Sequence, residues 1–340
     1  MAGSRALRKL QIGTETTGAS GTPVAATAIW RGMGTIHDQR EIVFPEEDVG
    51  YLGGTSRSYV ARYWSELTLD EVEATFEQVG YILAGGISNA TASADGTGSG
   101  YVYEYIAPTT AQNETITYTI EGGDDQQAEE FDYAFVKSFS LGGEAQGALM
   151  MSAEIVGRET SDTTFTAALT LPTVEEIIVN NATLYIDDAD SGDSLGGTAV
   201  SNTLFGFNLD WTTGLQEYWA VDGSKDFSIT KFTTDEIMLS LTYEHNASAV
   251  TEKDNYQAGT ARQIRIKLEG TDLTTTGTTY SKKTMLIDLA GVYEDWSALD
   301  ERDGNDVVEA TLRTRYHGTA NGNSGLKAQI TVVNEAASLA

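Results

Sequence analysis

The sequence predicts a mainly β chain built as two tandem β-sandwich or barrel units, each flanked by one helix. Three observations carry this. The same order of elements is readable twice, which points to tandem copies of one supersecondary unit. Glycine is frequent at 35 and proline scarce at 4 among 340 residues, as short strands joined by turns require. Long runs alternate with period two, the mark of strands with one buried and one wet face.

In order, residues 1–22 are rich in Gly, Thr and Ser, with a small basic cluster of Arg5, Arg8 and Lys9, and read as an extended arm. Residues 31–58 hold two β-compatible patches, Gly34–His37 and Glu41–Phe44, around Pro45-Glu-Glu-Asp48 and Gly53-Gly54. They read as a protruding contact loop, since long ordered loops are usually functional. A strand at Tyr59–Leu67 is expected to feed a helix over 68–84. Thr68 and Glu71 form a capping box, Asp70 suits the helix N-terminus, and Leu69, Val72, Phe76, Val79 and Leu83 form one apolar stripe ended by Gly85-Gly86. Strands follow at 101–107, 114–121, 131–141 and 147–157.

The second half repeats the order. A strand at Ile237–Tyr243 leads to a weaker helix near Asn246, then strands near 262–269, 284–292, 306–316 and 326–333. The two helix starts, 68 and 246, differ by 178. That offset brings the last two strands of the first half onto the last two of the second, and it divides the chain into units 1–178 and 179–340. Phe131, Tyr133, Phe135, Phe139 and Leu141 share one parity, interrupted by Lys137; Ile264, Ile266 and Leu268 alternate with Arg265 and Lys267; Ile116, Tyr118 and Ile120 alternate with Thr. Met285–Leu289 is nearly continuous and so expected to be buried on both faces. Long alternating strands leave edges that must be paired or blocked.

The net charge of −29, from 50 acidic and 21 basic residues, excludes a protein that grips nucleic-acid phosphates. Solubility, a high-salt habitat or an acidic lining that repels a polyanion remain. No apolar run approaches the ~20 residues of a membrane helix, and the basic start lacks the apolar core of a signal peptide. No membrane partner and synthesis in a cytoplasm are therefore expected. Cysteine is absent, so no disulfide or thiolate chemistry is available.

Motifs for chemistry are missing. His37, His245 and His317 lie far apart in sequence without metal-ligand spacing, and Gly96-Thr-Gly98-Ser-Gly100 lacks the spacing of a dinucleotide loop. The one metal candidate is Asp188, Asp190 and Asp193, an acidic run like the start of a calcium loop. Its glycine is misplaced, and Ala199 stands where the last ligand belongs. No cofactor and no catalytic residue are expected.

Glu114-Thr-Ile-Thr-Tyr-Thr-Ile-Glu121, Phe131-Asp-Tyr-Ala-Phe-Val-Lys-Ser-Phe-Ser-Leu-Gly-Gly143 and Ala148-Leu-Met-Met-Ser-Ala-Glu-Ile-Val-Gly-Arg158 together resemble the major tail tube proteins of long, non-contractile-tailed (siphovirus-type) phages and related archaeal viruses. Gly325-Leu-Lys-Ala-Gln-Ile-Thr-Val-Val-Asn334 is similar to that family's closing strand. The resemblance implies a structural virion protein, not an enzyme, made of two tail-tube-like domains. Its sheets join into rings, here of three subunits with pseudo-sixfold symmetry, and the rings stack into a hollow tube that passes double-stranded DNA during ejection.

Its implied partners are further copies of itself, the tail tip, tape-measure and terminator proteins, and DNA in transit without tight binding. Its implied place is the virion tail, after assembly in the host cytoplasm. Candidate subunit or inter-ring contacts are Arg5, Arg8, Lys9, Phe44, Pro45 and Tyr51, and candidate acidic lumen residues are Asp124, Asp125, Glu129, Glu130, Asp187 and Asp188. The rivals are an acidic β-sandwich surface or adhesion protein and, on a β scaffold with Trp211 and Trp219 in a cleft, a carbohydrate-active enzyme.

Overall fold

A computed structural model describes residues 5–338. The first half carries β1 (Lys9–Thr14), β2 (Ala28–Trp30), β3 (Gly34–Val43), β4 (Tyr59–Glu73), α1 (Val79–Gly86), β5 (Ser93–Ala94), β6 (Tyr101–Ile106), β7 (Tyr118–Gly123), β8 (Ala128–Glu144), β9 (Met150–Gly157) and β10 (Ser161–Thr163). The second carries β11 (Ala182–Asp188), β12 (Ala199–Val200), β13 (Leu204–Thr212), β14 (Leu215–Tyr218), β15 (Ile229–Phe232), β16 (Glu236–Glu244), α2 (Ala247–Ala258), β17 (Arg262–Asp272), β18 (Lys282–Trp296), β19 (Asp300–Arg302), β20 (Asn305–Thr314) and β21 (Ala328–Asn334). The molecule is mainly β, and its long strands pair antiparallel.

One pairing order recurs. In the first half the sequence of neighbours is β2-β1-β7-β8, and the C-terminal part of β8 continues to β9, β4 and β3. In the second half it is β12-β11-β17-β18, and the C-terminal part of β18 continues to β20, β16 and β13. The registers agree as well. Ile36, Leu67, Ile155 and Val136 lie side by side in the first half, as Leu209, Leu239, Leu312 and Tyr293 do in the second. A bulge follows each row, at Lys137 in β8 and at Glu294 in β18.

The structure therefore changes which strands correspond. β8 and β9 match β18 and β20, whereas a shift of 178 sets them one strand later, on the runs 306–316 (β20) and 326–333 (β21). The slip arises because β6 has no counterpart in the second half: it pairs instead with β21, tying the two halves together.

The helix expected at 68–84 is also corrected. Thr68 and Glu71 sit in β4, where Thr68 faces Thr35 on one side and Glu154 on the other. Leu67 and Leu69 are buried while Glu66, Thr68 and Asp70 are exposed, a strand alternation. The helical 3-then-4 spacing comes from a bulge between Leu69 and Val72 followed by a turn, in which Thr75 Oγ1 accepts from the Gln78 N–H. α1 is only eight residues long, and all eight are buried.

Three further expectations shift. The two patches within 31–58 form one continuous strand, β3, so only residues 44–58 make a loop, at the tip of a two-stranded ribbon. Lys9–Thr14 is no arm: Leu10 and Ile12 are buried in a strand between β2 and β7. The apolar residues of β8 do not share one side, because Tyr133 has φ +52° and a bulge follows Val136. Tyr133 and Phe135 join a small cluster around Phe227, while Val136, Phe139 and Leu141 face the main core. Met285–Leu289 is buried throughout, as expected.

The two halves meet edge to edge. β8 of the first pairs with β13 of the second over seven positions, from Ser138 opposite Thr212 to Glu144 opposite Gly206. The result is one antiparallel sheet of eight principal strands, β3-β4-β9-β8-β13-β16-β20-β18. At the joint Phe139 stacks on Trp211 with ring centroids 5.5 Å apart, and Leu141 and Leu209 are fully buried. One core cluster runs through both halves.

Candidate assembly surfaces

The eight-stranded sheet has two unlike faces. The covered face carries Leu67, Leu69, Ala153, Ile155, Leu209, Trp211, Leu239, Leu241, Ala310 and Leu312, all buried. On the other face Phe135 and Val156 are covered by Leu215, Phe227 and Phe232, and the remainder is free: strand alternation there leaves Glu66, Asp70, Glu154, Asp210, Glu236 and Glu309 exposed. Arg313 shares this face and is bridged to Glu236 at 2.9 Å and to Glu294 at 3.3 Å, so it neutralises little beyond its neighbours. Between the carboxylates stand Thr68, Ser138, Ser140, Asn208, Thr212 and Ser240, a polar and weakly adhesive floor.

The six carboxylates expected at a lumen lie elsewhere. Asp124 and Asp125 are in the turn between β7 and β8, where Asp124 Oδ1 accepts from the Gln126 and Gln127 N–H groups; those bonds hold its carboxyl below the usual range. Glu129 and Glu130 lie on the N-terminal part of β8, beside β7 and β10. Asp187 is buried and accepts from the N–H groups of Gly196, Gly197 and Thr198, so it organises a turn. Asp188 does likewise for Asp190 N–H at 2.8 Å. The calcium candidate is not assembled: among the described residues no three His, Cys, Asp or Glu side chains converge, and Asp190 instead lies 3.2 Å from His317 Nε2.

The contact residues expected from the sequence fall into two places. Phe44, Pro45 and Tyr51 belong to the ribbon tip. Phe44 and Tyr51 are exposed there, as are Ile42, Val49, Leu52 and Tyr59, an apolar cap on the ribbon. The tip is internally tied by Glu47, which accepts from Arg57 Nε at 2.5 Å and from Ser56 Oγ at 2.8 Å. Arg5, Arg8 and Lys9 instead line a cleft of about 320 Å³ with Leu10, Met33, Gly34, Ile36 and Asp124. This grouping of the basic arm with the edge of β3 was not readable from spacing, because the residues come from four separate strands and turns.

Two edges of the eight-stranded sheet are open. β3 pairs with β4 on one side and with no described strand on the other, along ten residues. β18 and β19 pair with β20, and beyond Gly291 no described strand takes their other side. Other edge strands, β2, β5, β10 and β12, are two or three residues long. Short edges are a common way of making an edge harmless, and β3 does not use it.

Trp211 is core at the joint, and Trp219 is half-buried and packs edge-on against Phe227. Among the described residues no helix is long and apolar enough to cross a membrane. No protein-family model matches this sequence, and no curated protein matches it.

Proposed function

We propose that this chain is the repeating subunit of a viral tail tube: two tail-tube-like domains per chain, three chains per ring, rings stacked into a hollow conduit for double-stranded DNA. The observation that carries the reading is the joint between β8 and β13. The first half has already added its sheet to a second half with the same pairing order, and the sheet ends in open edges on both sides. Repetition of that step around an axis closes a barrel, which alone removes edges.

Strand spacing sets the number of copies. Sixteen strands at ~4.8 Å give a backbone radius near 12 Å without tilt and about 16 Å at ~40° tilt, tight for a duplex once side chains are added. Twenty-four strands, from three copies, give about 18 Å, and more with tilt. The covered face carries α1, α2 and the second layer of strands, which need the larger circumference, so the free acidic face turns inward. There Glu66, Glu154, Asp210, Glu236 and Glu309 repel DNA phosphates over roughly 8 Å at physiological salt, a non-stick wall. The ribbon tip with Phe44, Pro45 and Tyr51 stands as the contact between rings, a heterologous contact that propagates.

Electron microscopy of the purified protein tests this reading: rings and hollow tubes are expected, whereas monomers at all concentrations overturn it. Tubes carrying Asp210→Lys and Glu309→Lys should assemble and retain duplex DNA in a salt-dependent way that the parent does not.

A further inference from the structure

We propose that the open edge of β3 in one copy seats on the open edge of β18 and β19 in a second copy, in the register that β13 already has on β8. This rests on the ring reading above and names the contact that closes it. β3 occupies in the first half the place that β13 occupies in the second: Ile36 faces Leu67 as Leu209 faces Leu239. The C-terminal part of β18 is likewise the counterpart of that of β8, with Tyr293 in the place of Val136 and a bulge after each. Inside the chain these two kinds of edge are paired, Trp211 opposite Phe139 and Thr212 opposite Ser138. Carried across, Asp38 falls opposite Trp296, and Gln39 opposite Asp295, of the second copy.

Burial marks what is missing. At the internal joint Leu141 and Leu209 are both 0 % exposed. On the open edges Leu299 is 55 % exposed and Met33 53 %, and Ile36 is half-buried. An apolar side chain left wet on both edges is satisfied if the edges meet.

At the internal joint the turn after β8 reaches the start of β13, where Ala145 N–H donates to Phe205 O at 2.8 Å. The corresponding segment, β19 and the turn after it, carries Asp300, Glu301 and Asp303 besides Arg302, which is bridged to Glu144 of its own chain at 2.6 Å. It would arrive at Gly32 and Met33, in the cleft rimmed by Arg5, Arg8 and Lys9. The cleft sets Asp70, Asp124 and Glu129 against its three cations, so its charge is balanced; the shared register and the wet apolar edges assign a second copy as the occupant.

The chain has no cysteine, so cross-linking is clean. Directly opposed residues in an antiparallel pair have Cα atoms ~4.5–5.5 Å apart, within the span of a disulfide. Oxidation of the Gln39→Cys, Asp295→Cys double variant should convert most chains into a covalent closed trimer. Mixing the two single variants should give a covalent dimer and nothing larger. The shifted pair Glu41→Cys, Asp295→Cys should lose the cross-link. Rings of three that form without the Gln39–Asp295 cross-link, or that cross-link in the shifted register, overturn this joint and leave the tube reading standing. Parent protein that never self-associates overturns the tube reading and the joint with it.

Discussion

The two helices occupy corresponding places in the two halves and are held there by different physics. α1 has no side-chain cap: Gln78 precedes it in helical conformation without a capping bond. It forms because it is enclosed. Tyr118 Oη donates to Tyr81 O, and the segment after the helix folds back over it, with Ile116 N–H donating to Ala84 O. α2 has only Ala249 and Glu252 buried. It is built from its ends, with Asn246 Oδ1 accepting from the N–H groups of Ser248 and Ala249, and with Gly259 closing it at φ +67°. Its tie to the sheet is an ion pair: Arg262 Nε and Nη2 reach Glu252 at 2.9 and 2.8 Å, and Tyr293 Oη adds a third bond at 3.2 Å. Arg262 and Tyr118 hold equivalent positions, opposite Asp188 and Thr14 at the ends of their strand pairs. A helix can be fixed to this sheet by enclosure or by a buried charge pair.

That contrast predicts a ladder of effects. Glu252→Ala strands a buried guanidinium and should cost about 3–5 kcal/mol in denaturant unfolding, the largest loss. Tyr118→Phe leaves the ring and removes one buried hydrogen bond, an expected loss of about 1–2 kcal/mol by the same measurement. Asn246→Ala should cost about 1 kcal/mol, because an exposed helix depends on its cap; a loss near zero would mean that packing holds α2 as it holds α1.

The smallest effect depends on pH and concerns the bends of the two long strands. Burial pushes the Asp132 carboxyl up to about 6, against the opposing pull of Arg158, whereas the corresponding bend of β18 passes through the uncharged Ala290 and Gly291. A raised folded-state value means that this group's contribution is intact below the ordinary carboxylate range and is lost as pH rises through 6. Asp132→Asn should therefore gain on the order of 1 kcal/mol relative to the parent at pH 8, after allowance for solvent screening, and nothing at pH 3.5. Thermal melts at the two pH values check the sign.

The same contrast explains what the sequence disclosed. α2 was legible because Asn246 and Gly259 write its limits locally. α1 was misplaced because its local start, the Thr75 turn, is brief and follows the Thr68–Glu71 pattern that mimics a cap but lies in a strand fixed by neighbours far away in sequence, Thr35 and Glu154. The mainly β class and the buried run at Met285–Leu289 followed from period and composition. The correspondence between halves was legible as a repetition but slipped by a strand, since β6 makes an insertion that looks like any other strand until its partner, β21, is known. The acidic free face was not legible, because Glu66, Asp210 and Glu309 come together only through strand order; acidic clusters in the sequence, such as Asp124-Asp125, mark turns instead.

The most direct measurement is a cryo-electron-microscopy reconstruction of the assembled protein, counting strands around the bore. The account predicts twenty-four strands from three chains, with Glu66, Asp210 and Glu309 pointing into the channel and each β3 beside a neighbour's β18. A channel walled by the opposite face of the sheet, or chains that touch only through loops, would contradict it.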